Sequence, residues 1–136
     1  MSDPNKPLRF AGYAAIFGKR DTGLDVIRKG AFTASLASRT TRYPLFWQHR
    51  PDLRIGWVER IEEDTRGLRV LAHIDNPAGG AAVALKRGSV TGLSFGYRVR
   101  AARSDGIGRE ITDILLYEVS LVTHPMQHGA RVHLVA

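Results

Sequence analysis

The sequence predicts a mostly β protein with one or two short helices, folded as a single domain over residues 1–136. Three observations carry that reading. Segments of alternating or β-branched residues recur along the whole chain. Clusters of Gly, Pro, Asn and Asp separate them. A single segment carries the marks of both ends of a helix.

LRFAGYAAIF alternates large and small residues and stops at GKRDTG, as a strand running into a turn does. GLDVIRKGAFTASLASRT gives a short strand around Val26 and Ile27 and a short helix from Ala31 to Ser38, and Pro44 ends the connection. PLFWQH is aromatic and apolar enough for a strand ending at His49, with Leu45, Trp47 and His49 on one face. RIGWVERIEEDTRGLRVLAHID reads as a hairpin that turns at residues 63–67.

In NPAGGAAVALKRG, Asn76 stands as N-cap, Pro77 at the first helical position and Gly88 just past Lys86 and Arg87. TGLSFGYRVRAAR places Leu93, Phe95, Tyr97 and Val99 on one strand face, and Ser94, Gly96, Arg98 and Arg100 on the other. After the SDGIG turn, REITDILLYEVSLVT is apolar and β-branched enough for a strand buried on both faces. No repeat, low-complexity tract or linker divides the chain.

Composition narrows the function classes. Lys and Arg number 20 against 13 Asp and Glu, a formal charge of +7, which favours acidic partners. The basic residues are scattered rather than gathered into a run, so a dedicated nucleic-acid role ranks low. With no cysteine there is no disulfide framework, thiolate metal site or cysteine nucleophile. MSDPNKPLRF has no apolar signal core, and no apolar run approaches a membrane span; a soluble cytosolic protein without membrane association is expected.

Gly92-Leu93-Ser94-Phe95-Gly96 matches the Gly-x-Ser-x-Gly string of a hydrolase nucleophile elbow. The α/β-hydrolase fold is not the source. The chain is short for a large doubly wound sheet, and that fold places its nucleophile on a strand-to-helix turn, followed by acid and then histidine. A serine hydroxyl nonetheless needs a base, and the base a group that holds its tautomer. His49 is the leading candidate base, although a structural histidine stacked on Trp47 fits the same spacing.

Glu118 stands between apolar strand residues in LLYEVSLV, so its carboxylate requires a partner: a histidine N–H, or an arginine such as Arg98 or Arg100. Ser120 shares its face and is placed to support it. His124, His128 and His133 invite a metal reading, but Pro125 and Gly129 argue against the helix that would align them, and no carboxylate lies within the cluster. His73, beside Asp75 in a strand, reads as solvent-facing.

Taken together, GYAAIFG, GAFTASL, PLFWQH, IGWVERIEEDTRGLRV, ALKRGSVTGLSFGYRV and LYEVSLVTHPM resemble the prohead maturation proteases of tailed bacteriophages and gene transfer agents, over nearly the whole chain. That family is similar to herpesvirus assemblin. The resemblance implies a compact β-barrel flanked by short helices, and a serine endopeptidase needing no cofactor or metal.

It also implies a catalytic set of His49, Ser94 and Glu118, in which Glu118 matches the acid of the EVSLVT motif. Assemblin uses a second histidine, so His124 is a rival third member. The implied partners are the major capsid protein and its scaffolding segment, cleaved inside the assembling procapsid within a bacterial host. Self-cleavage and a homodimer are compatible with it. Two other classes compete: a noncatalytic capsid-assembly protein of the same fold, and a basic β-barrel module that binds nucleic acid.

Overall fold

A computed structural model describes residues 5–136. The alternation in the first apolar segment produces β1 (Leu8–Ile16), whose Leu8, Phe10, Ala14 and Ile16 are buried while Arg9 is exposed. A short β2 (Asp25–Ile27) and a six-residue helix α1 (Thr33–Ser38) follow. Next come β3 (Pro44–Trp47), β4 (Arg50–Glu63) and β5 (Gly67–Ile74). After α2 (Gly80–Arg87), the chain forms the long strands β6 (Gly92–Ser104) and β7 (Arg109–Val122), then β8 (Val132–Val135). The expected mostly β architecture with one or two short helices is observed, with two.

Local chemistry explains the ends of these elements. Asp64 Oδ1 accepts from the backbone N–H groups of Arg66 and Gly67, closing the β4–β5 hairpin where the sequence expects it. The expected N-cap of α2 is corrected. Asn76 Oδ1 accepts from Ala78 N in a turn ahead of the helix, and Gly79 is the N-cap, with no side-chain bond. Gly88 does terminate α2, at a positive φ of 74° from which its N–H reaches back to Ala84 O and Leu85 O. In place of a side-chain N-cap, α1 has Glu63, whose carboxylate accepts from Gly30 N, Phe32 N and the Thr33 hydroxyl.

Strand order is β2-β7-β3-β4-β5-β1-β8, with β6 paired along β7. β7 therefore has neighbours on both edges: β6 runs antiparallel along one, while β2 and β3 lie parallel to its two ends on the other. Strand pairing leaves the barrel unclosed. A single bridge, Gly92 to Arg131, stitches the start of β6 toward β8, helped by Leu93 N donating to Ala130 O.

The core gathers Phe10, Phe32, Leu45, Leu68, Leu93, Ile111, Ile114 and Leu121, each almost wholly buried. Each such side chain contributes roughly 1.5–3 kcal/mol of transfer free energy. Phe32 at the head of α1 meets the Phe95 ring edge-on at 5.3 Å, which locks the helix against β6. β7 is buried on both faces only in its second half. From Glu118 to Val122 all five residues are buried, whereas Arg109–Tyr117 includes exposed positions.

Candidate active site

His49 does not end a strand. β3 stops at Trp47, which pairs with Arg50, and Gln48 and His49 form the two-residue turn between β3 and β4. Both have positive φ, 53° and 61°. Two such residues give the mirror-image hairpin turn that Asn-Gly normally occupies. Holding ordinary side chains there costs on the order of 1 kcal/mol each, so the surroundings must impose it.

β7 and the residue after it supply that constraint. Gln48 N donates to Leu121 O at 2.9 Å, continuing the parallel β3–β7 ladder into the turn. The Gln48 amide is clasped from both sides by Thr123: its Nε2 donates to Thr123 Oγ1 at 2.7 Å, and its Oε1 accepts from Thr123 N at 3.1 Å. His49 N donates to Ser120 Oγ at 3.1 Å. The histidine backbone is thus fixed before its ring is considered.

Glu118 fixes the ring. Its Oε1 lies 2.6 Å from His49 Nδ1, and its Oε2 accepts from Ser120 Oγ at 2.6 Å. Ser120 joins the two, because the hydroxyl that donates to the carboxylate accepts from the His49 amide. This arrangement offsets the cost of burying Glu118, which is 6% exposed. The sequence left a choice between histidine and arginine as its partner, and the partner is histidine. Arg100 pairs instead with Asp113, and Arg98 is exposed.

Ser94 enters from the other side of β7. It stands opposite Ser120 in the β6–β7 register, as Gly96 stands opposite Glu118, and directly opposed residues share a sheet face. Leu93 and Phe95 point into the core, as the alternation predicts, while register shifts beyond Gly96 break the expected pattern toward Val99. The Gly-x-Ser-x-Gly string acquires a packing reason. A Cβ on Gly96 would lie 2.4 Å from Glu118 Oε1, and one on Gly92 would lie 2.6 Å from Val122 O.

Ser94 is 5% exposed. Among the described residues, Tyr43 Oη is the sealed side-chain polar atom without a partner; Ser94 Oγ makes no hydrogen bond there and so keeps an opening to solvent. Ala14, Asp21, Ile27, Tyr97, Met126 and Gln127 line a tight recess beside it, about 10 Å³, little more than one water. Burial, with the Asp21 and Asp25 charges nearby, pushes the Tyr97 phenol above its ordinary pKa and keeps it neutral. With Nδ1 against Glu118 Oε1, the Nε2 of His49 is the ring nitrogen left facing away from the carboxylate.

The remaining histidines scatter. His124 is exposed, His133 stacks edge-on against Tyr13, and His128 lines a separate groove. Among the described residues no cluster of three His, Asp or Glu is able to hold a metal ion. His73 is not solvent-facing: its side chain is 16% exposed and sits between Glu59 and Asp75. Sequence reading missed Gln48, Thr123 and Gln127, whose roles depend on pairings across the fold that no local pattern announces.

Comparison with known proteins identifies the family and the fold. Residues 2–136 match the family model described as Caudovirus prohead serine protease. The chain is 33% identical over 132 residues to the prohead protease of Enterobacteria phage HK97, covering 90% of this chain and 58% of that one. Two herpesvirus structures share the fold. The varicella-zoster virus protease gives a TM-score of 0.64 at 21% identity, over 94% of this chain and 64% of the other. The KSHV protease in complex with a hexapeptide phosphonate inhibitor gives 0.62 at 15% identity, over 96% of this chain and 65% of that one. The chain thus spans somewhat under two thirds of the length of these relatives. Among the described residues no helix is long and apolar enough to cross a membrane.

Proposed function

Because the chain belongs to the caudovirus prohead serine protease family, we propose that it is a serine endopeptidase whose nucleophile is Ser94, base His49 and third member Glu118. The observation that carries the reading is the 2.6 Å contact between His49 Nδ1 and Glu118 Oε1, with Ser94 on the neighbouring strand of the same face. His124 is exposed and makes no hydrogen bond to His49 among the described residues, which favours Glu118 in the third role.

In this mechanism His49 Nε2 takes the Ser94 hydroxyl proton as Oγ attacks a peptide carbonyl carbon. Glu118 stabilises the imidazolium that forms and remains ionised. The imidazolium then gives its proton to the leaving amine, the C–N bond breaks, and an acyl-enzyme ester remains. Water, deprotonated by His49, hydrolyses the ester and returns the serine. Ser94 Oγ and His49 Nε2 are unbonded in the free protein, and such contacts commonly tighten only with substrate in place.

The substrate that fits the family is the major capsid protein, cleaved to release its scaffolding segment inside the assembling procapsid. The test is the intact mass of the cognate capsid protein after co-expression with the native chain or with Ser94→Ala. Loss of an N-terminal capsid segment only with the native chain is the expected result, and self-cleavage appears in the same spectra as a shortened protease. Whole capsid protein in both samples, under assembly conditions, overturns the reading in favour of a noncatalytic assembly protein.

A further inference from the structure

Gln127 forms a wall between two concavities. One side faces the recess at Ser94 and the other faces a groove of about 400 Å³. The wall is rigid: Gln127 is 6% exposed, its Oε1 accepts from Ile16 N at 2.8 Å, and its Nε2 donates to Ile16 O at 2.8 Å and to Lys19 O at 3.3 Å. The side-chain amide pairs with β1 as a strand backbone would, so the groove behind it is preformed.

The charge of that groove is one-sided. Lys19, Arg20, Arg66 and His128 line it, and among the described residues no carboxylate does. Arg20 is occupied by Asp105 and by Leu24 O. Lys19 and Arg66 are exposed and form no ion pair among the described residues, and the Arg66 guanidinium is propped over the Tyr13 ring at 5.1 Å. The nearby Asp64 carboxylate is spent on the Tyr13 hydroxyl and on the backbone N–H groups of Arg66 and Gly67. Elsewhere many arginines are compensated, as in Arg9–Glu59, Arg28–Glu110, Arg100–Asp113 and Arg109–Asp25.

We infer that this groove is an acidic-peptide subsite: a polypeptide whose scissile bond lies at Ser94 runs past Gln127 and places Asp or Glu side chains against Lys19 and Arg66. The inference rests on the protease reading above for what happens at Ser94, but not for the binding itself. An extended chain is the occupant that joins a tight recess to a wide cationic groove across one side chain. The groove selects the charge of the segment attached to the cleaved bond, whereas the recess, about 10 Å³, takes no more than a water-sized group. Two partly exposed cation–carboxylate contacts of the usual strength together give roughly a tenfold affinity difference.

The test uses the full chain carrying Ser94→Ala, which separates binding from cleavage. Its ligand is a fluorescein-labelled twelve-residue peptide of alternating Glu and Ala, followed by anisotropy at low salt. The expected result is binding that weakens about tenfold in Lys19→Ala/Arg66→Ala, and that disappears when every Glu is replaced by Gln. Lys29→Ala, a lysine outside the groove, serves as the charge control and is expected to bind as the parent does. Equal binding by the groove variant and the parent overturns the subsite. So does a labelled single-stranded DNA oligonucleotide that binds more tightly than the peptide with the same dependence on Lys19 and Arg66, which assigns the groove to nucleic acid. Peptide binding that obeys the prediction while the native chain cleaves no capsid protein upholds the groove and removes the protease reading.

Discussion

Glu118 Oε1 occupies the space into which a side chain at Gly96 would project, 2.4 Å from where a Cβ would stand. Glu118 Cδ and Cγ would lie 2.9 Å away as well, and the carboxylate is buried and bonded at both oxygens, so Gly96→Ala is expected to lower Tm as well as to move the carboxylate off His49. Displacements of that size cost about 10²-fold in turnover. A Gly96→Ala chain that folds and cleaves at the native rate would show that the Glu118–His49 contact does not matter to the chemistry.

Glu118→Gln keeps the shape of the side chain and removes its charge. If Glu118 stabilises the imidazolium, kcat on a capsid-derived peptide should fall by about 10³- to 10⁴-fold with little change in KM. His124→Ala should leave both constants near native. The reverse pattern would make His124 the third member.

Gln48 is a positioning residue, acting through the turn it holds, the one that presents His49. Gln48→Ala removes both bonds to Thr123 and should cost about 1–2 kcal/mol of stability in urea titration. Its kcat should drop while KM holds. Thr123→Val removes the hydroxyl but keeps the backbone N–H that donates to Gln48 Oε1, so it should give about half the effect, and combining the two should add little because Gln48→Ala already breaks both bonds. Additive losses would mean that the clasp is not the shared cause.

Tyr13 and Asp64 link stability to pH at both extremes. The hydrogen bond to Asp64, with burial, raises the Tyr13 pKa, so its contribution is complete below the ordinary phenol value and is lost as pH rises through the raised one. Burial pushes Asp64 up, but the Tyr13 hydroxyl and the Gly67 and Arg66 N–H groups outweigh it, leaving the pKa lowered. Its contribution is therefore complete above the ordinary carboxylate value and is lost as pH falls through the lowered one. Tyr13→Phe should flatten the alkaline limb of the urea midpoint against pH and shrink the acid limb. An unchanged profile would discount the pair.

The strands were legible in the sequence wherever alternation or β-branching was strong, as in Leu8–Ile16 and Arg109–Val122. The candidate site was legible in its residue types but not in its geometry. Ser94 and Glu118 sit in regular strands, so their faces followed from a period of two. His49 did not, because nothing local marks a Gln-His pair for a turn that usually takes Asn-Gly; Leu121 and Thr123 impose that turn from far along the chain. Asn76 failed as a helix cap for a related reason: its side chain was taken by the nearer Ala78 amide.

Strand β7 carries Glu118 and Ser120, holds the His49 turn on one edge and backs the Ser94 strand on the other. It also follows both the histidine and the serine in the chain. A ribosome-bound chain that has already produced the histidine and the serine still has nothing to align them until the residues around 118–123 emerge and pair. Chains truncated before residue 118 should accordingly be inert. Alignment of the three side chains then comes in a single step, when β7 pairs with β3 and β6.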